Sequence, residues 1–257
     1  MGTGAPEQRF VQLYKDRFQI YYKDPVGYLK AINEMLPYIE MKSKNELVKT
    51  NMLDFWIDMA VRQADSFGQV DDRLTAMIFL TDIWFNFSQY VDQKGDLSNT
   101  LIGIMRKFAR EKSFSAKIVS ISLMFRLLDR FAENKNSSAP VIYKSLIFTL
   151  IESSSEIALR EHYLANFSSL FKTVPSIPIS LLVEPLLKNM QLSKFEFKPF
   201  DFEFFKILSQ HPKLNLAMAL SLADLLSEIL LNQPIFASSV INTLAEILYR
   251  FGMESDS

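Results

Sequence analysis

Apolar residues recur at helical spacing in about a dozen successive stretches of this chain, each ended by a short polar or proline break. Phe10, Leu13, Tyr14 and Phe18 mark a first helix over residues 7–22. Asp24-Pro25 then offers an N-cap and a first-turn proline to a second helix, which carries Leu29, Ile32 and Leu36. Ser43, with Glu46 three residues on, reads as a capping box for a helix bearing Leu47, Met52, Phe55, Trp56 and Met59. Residues 71–91 are apolar on nearly every side, which places that helix in the middle of the packing. Asp96, Ser113, Pro140 and the serines 153–155 open or cap further helices, and Pro185 interrupts another. The last two, about residues 213–231 and 234–251, are long and regularly patterned. Taken in consecutive pairs, these stretches predict an all-α chain, an α-solenoid of about six helical hairpins. No linker divides it, so residues 7–251 are expected to form a single helical repeat domain between a disordered 1–6 and a flexible 252–257.

Composition narrows the function classes. Basic and acidic residues nearly balance, 28 against 29, where a nucleic-acid binder would carry a basic excess. The longest apolar run, residues 74–87, is broken by Thr81, Asp82 and Asn86 and is too short to span a bilayer. With no cysteine there is no disulfide, thiolate metal site or cysteine nucleophile. Together with a start that lacks the pattern of a signal peptide, this leads us to expect a cytoplasmic protein. The Asn-x-Ser triplets at Asn86, Asn136 and Asn166 are then chance matches.

Three apolar stretches, residues 80–87 (Leu-Thr-Asp-Ile-Trp-Phe-Asn-Phe), 125–131 (Phe-Arg-Leu-Leu-Asp-Arg-Phe) and 246–251 (Glu-Ile-Leu-Tyr-Arg-Phe), resemble the second helix of an armadillo- or HEAT-type hairpin. The resemblance covers most of the chain as pattern, without a repeated Asp-plus-Arg ladder, so armadillo-like is the level at which it is drawn. It implies a protein-binding scaffold or adaptor with no cofactor and no chemistry, whose ligand is a protein or peptide. A six-pair array is also similar to a tubulin-binding TOG domain, which would bind through turns such as Tyr21-Tyr22 and Lys112. A dimerisation domain of a larger protein is a further alternative.

Candidate chemistry is sparse. Asp71-Asp72 resembles the paired aspartates of helical prenyl-transfer enzymes, but Thr75 stands where a further carboxylate is needed, and acids at a helix start suit the dipole. Two histidines, His162 and His211, neither one turn from another, give no zinc-hydrolase helix, and neither a Gly-x-Ser-x-Gly elbow nor a glycine-rich phosphate loop is present. The densest basic stretch, Arg106, Lys107, Arg110, Lys112 and Lys117, is the candidate contact for an acidic partner. Residues 195–205 alternate ring and polar residue as far as Phe202, a strand-like period inside a helical chain. We read this as an extended connector that tucks Phe195 and Phe197 into the core before a helix opens at Pro199-Phe200-Asp201. Trp56 and Trp84 lie on apolar stripes and are assigned to the core.

Overall fold

A computed structural model describes residues 23–39, 41–133, 138–191 and 195–252. The helix expected over 7–22, the Tyr21-Tyr22 turn, Asn136 and most of the loop 133–138 lie outside the described residues. Thirteen α-helices and two short 3₁₀ turns, and no strand, occupy the described residues. The packing falls into two units, Met1–Leu123 and Met124–Ser257.

In the first unit, α1 (Pro25–Met35) opens as expected, with the Asp24 carboxylate accepting from the Gly27 amide at 2.8 Å. The next helix is two. Met41–Lys49 (α2) and Met52–Ala64 (α3) are separated at Asn51, whose left-handed φ of 55° a non-glycine residue rarely adopts and asparagine tolerates best. Ser43 therefore lies within α2 and is not the N-cap that its spacing to Glu46 predicted. The apolar helix predicted over 71–91 also breaks. Val70–Asn86 (α4) stops at Phe87, which leaves helical geometry before a short α5 (Ser88–Gln93). Back-bonding by Thr81 to the Met77 carbonyl and by Asn86 to the Asp82 carbonyl offers the backbone alternatives near that end, a known cause of bends. Then α6 (Gly95–Phe108) follows, with Asp96 in its first turn rather than at its cap.

The central position expected for α4 is what its neighbours show: α1, α3, α5 and α6 all pack against it. Phe79, Ile83 and Trp84 are fully buried there, and across the same unit the Trp56 indole donates to the Tyr28 hydroxyl at 3.0 Å. Both tryptophans are core residues, as their stripes indicated.

The division between units falls inside α7 (Phe114–Glu133). The second unit continues with α8 (Ala139–Ser153), α9 (Ile157–Thr173), α10 (Ser180–Met190, which runs on through Pro185), α11 (Pro199–Gln210), α12 (Leu216–Asn232) and α13 (Ala237–Gly252). Within it, α8, α10 and α12 lie side by side in one row, and α9, α11 and α13 in a second. Leu164, Phe167 and Phe171 on one stripe of α9 fill the space between rows, with the Phe125 and Phe167 rings edge to face at 4.8 Å.

Candidate protein-binding surface

The basic stretch is partly self-neutralised. Arg106 and Lys107 end α6, where cations suit the negative end of the helix dipole; Arg110 and Lys112 lie in the following turn; Lys117 is in the first turn of α7. Lys107 pairs with Asp65. Glu111, in the middle of the stretch, takes the Arg73 guanidinium at 2.8 Å, and Arg73 itself lies over the Phe108 ring. Arg110 and Lys112 are exposed, whereas Arg106 and Lys117 are half-buried. Asp71 and Asp72 sit in the first turn of α4, and among the described residues no group of three or more metal-ligating side chains converges.

Sequence reasoning missed a buried, heavily bonded charge in the second unit. Arg160 on α9 is only 1% exposed, and its Nε and Nη2 donate to the two oxygens of the equally buried Asp201 at 3.0 and 3.1 Å. The same guanidinium donates at 2.6 Å to the carbonyls of Ser154, before α9, and Glu196, in the connector before α11. Asp201 in turn accepts from the Lys198 amide at 2.8 Å, capping α11. Burial pushes the Asp201 carboxyl above its ordinary value, against the pull of Arg160 and the Lys198 amide. The Phe195 ring lies 4.2 Å from the guanidinium carbon, so the connector does cover core, though with a charge beneath one of its rings. Phe197 is buried and Phe195 half-buried. The signal was present: Arg160 shares the stripe of Leu164, Phe167 and Phe171, where a charge has to find a buried partner. All three guanidinium nitrogens and both carboxylate oxygens bond within the chain, so the pair staples the Ser154 loop to the Glu196 connector.

An apolar cleft of about 320 Å³ opens among Leu128, Ala132, Pro140, Tyr143, Ile177 and Leu181. The Tyr143 hydroxyl is buried and has no hydrogen-bond partner among the described residues. Burial pushes the Tyr143 and Tyr163 phenols far above their ordinary value. A raised folded-state pKa contributes stability that is intact below the unfolded value, about 10, and is lost as pH rises beyond it. The denaturant midpoint of the second unit is therefore expected to fall between about pH 9 and pH 11. Tyr143→Phe should lose less over that interval, and equal losses would contradict the burial assignment.

Exposed large apolar side chains are scattered singly over most of the described surface, but they concentrate on the last hairpin. Leu216, Leu220 and Leu231 of α12, Ile235 of the intervening turn, and Ile241, Leu248 and Tyr249 of α13 are all more than half exposed, Leu231 and Ile235 above 80%. On α12 positions 216, 220, 224, 227 and 231 run along one stripe, on which Asp224 and Ser227 interrupt the leucines, opposite the buried Leu222, Leu225 and Ile229. On α13 Ile241, Ala245 and Leu248 form a matching exposed stripe, while Val240, Thr243 and Ile247 are buried on the other side. The charges of α13 turn to the body of the unit. Glu246 accepts from Gln210 at 2.6 Å, and Arg250 donates to the carbonyls of Ser209 and His211 at 3.0 and 2.8 Å.

No single described helix is long and apolar enough to cross a membrane; α12 and the stretch from Pro234 through α13 reach that composition only together, across a bend of 119°. Comparison of the chain with protein-family models, curated proteins and solved structures found no match.

Proposed function

We propose that this chain is a non-catalytic protein-binding scaffold, an armadillo-like stack of about six helical hairpins, and that its main contact surface is the outer face of the α12–α13 hairpin. The observation that carries this is the concentration of half-exposed Leu, Ile and Tyr side chains on that hairpin. Apolar patches of several hundred Å² on a folded protein mark places where another surface docks. The two rows of helices in the second unit support the solenoid reading, since hairpins stacked on equivalent hairpins build such rows. The exposed Arg110 and Lys112 leave the basic strip open to an acidic segment of a partner as a secondary contact.

The test is affinity capture with the chain as bait and Ile241→Asp/Leu248→Asp as the control. Proteins retained by the native chain are expected to be lost from the double variant, while its helicity by circular dichroism is unchanged. Capture that is indifferent to the substitutions would remove this surface from the proposal.

A further inference from the structure

His211, the residue that ends α11, has a ring committed to one protonation state. It is only 3% exposed, and its Nδ1 accepts from the Lys213 amide at 3.1 Å, so the proton of the neutral imidazole stands on Nε2. Nε2 is itself buried, with no hydrogen-bond partner among the described residues. A second proton would have to sit on Nδ1, where it points at the Lys213 N–H, donor against donor. The imidazolium would then find an acceptor at neither nitrogen, and a buried charge without partners is costly.

The groups that face the ring add to that cost. From α13 comes the Arg250 guanidinium, and from the loop after α11 comes Lys213, both cations. From α9 the Phe171 ring meets the imidazole edge-on at 5.1 Å, and the neighbouring Lys172 is exposed. The Glu246 carboxylate of α13 is bonded to Gln210 instead. Burial, Arg250 and Lys213 together hold the imidazole below its ordinary value.

The same few residues fasten the end of α13. Arg250 Nη1 donates to the carbonyls of Ser209 and His211, and Nη2 reaches those of Pro212 and Leu214 at 3.5 and 3.4 Å. Four carbonyls converge on one guanidinium because the chain turns tightly at residues 209–214. Two bonds hold that turn: the Leu214 amide donates to the His211 carbonyl at 3.0 Å, and the Lys213 amide to the His211 ring. Loss of the second loosens the turn on which Arg250 closes.

We propose that His211 and Arg250 form an acid-released latch, in which protonation of His211 frees the end of α13 from the turn at residues 209–214. A histidine that is neutral when latched and charged when free contributes its full stability above the unfolded value, about pH 6.5, and loses it as pH falls further. The latch is therefore closed near neutrality and loosens at about pH 5–6. It stands whether or not the outer face of α12–α13 receives a partner.

Hydrogen exchange of the full chain, read by mass spectrometry and corrected for the intrinsic pH dependence of exchange, tests the latch. One proton taken up on release raises the released population by up to about tenfold between about pH 7.5 and about pH 5.5. Amides of residues 246–252 are expected to lose about three- to tenfold of their protection over that interval, while those of α9 keep theirs. His211→Asn retains an acceptor for the Lys213 amide but cannot titrate, and should abolish the response. Arg250→Met should leave the end of α13 equally open at both values. No loss in the native chain overturns the latch, as does an equal loss in α9, which is general acid unfolding. A response that persists in His211→Asn belongs to another group, such as His162, and also overturns it. Should His211→Asn already be open at neutral pH, proton NMR of the native chain decides, since it has only two histidines to assign. His211 titrating below about pH 6.5, with α13 signals following it, supports the latch; titration at or above that value overturns it.

Discussion

Asp201→Ala is expected to destabilise the second unit by about 3–5 kcal/mol, because it strands a buried guanidinium without its carboxylate. Asp201 is fully buried and Arg160 nearly so, and neither can turn to water without opening the junction of the Ser154 loop and the Glu196 connector. The loss also removes the acceptor that caps α11 through the Lys198 amide. Urea unfolding followed by far-ultraviolet circular dichroism measures it. A contrast sharpens the reading: Arg160→Met/Asp201→Leu should cost much less than Asp201→Ala, since replacing both charges with apolar groups leaves none unpaired. A loss below about 1 kcal/mol for Asp201→Ala would mean that the guanidinium finds solvent.

The second large effect belongs to the other unit. Trp84→Ala should cost about 3–5 kcal/mol, the usual range for a buried aromatic truncated to a methyl. Trp84 has no exposed surface and stands on α4, the helix against which α1, α3, α5 and α6 pack, so the void would open where neighbours on several sides cannot all close in. Chemical denaturation of the purified variant, read by the fluorescence of the remaining Trp56, tests this. A cost below about 1 kcal/mol would place Trp84 at a margin that can collapse.

Much of the helical framework was legible from local chemistry. Asp24-Pro25, Ser113, Pro140 and Pro199 mark helix starts because a cap or a fixed φ acts on the adjacent turn and needs no distant partner. The position of α4 was legible too, since a helix with no polar face must be surrounded. Where local signals compete, they misled. Ser43 with Glu46 has the spacing of a capping box, yet the chain enters the helix earlier and breaks at Asn51 instead. The run through Phe87 has nothing in its composition to stop a helix, and the break there goes with back-bonding side chains.

What the sequence by itself determined is which residues are apolar and with what period, and hence an all-helical chain with its principal breaks. Only the tertiary structure decided which apolar faces are covered. Leu220 and Leu222 are two positions apart on one helix and chemically identical, yet α12 buries Leu222 and leaves Leu220 exposed. Periodicity cannot separate them, because hydrophobicity is a property of the side chain and burial a property of its neighbours. The Arg160–Asp201 pair has the same cause: its members are 41 positions apart, and only the stacking of α9 on α11 brings a guanidinium and a carboxylate out of water together.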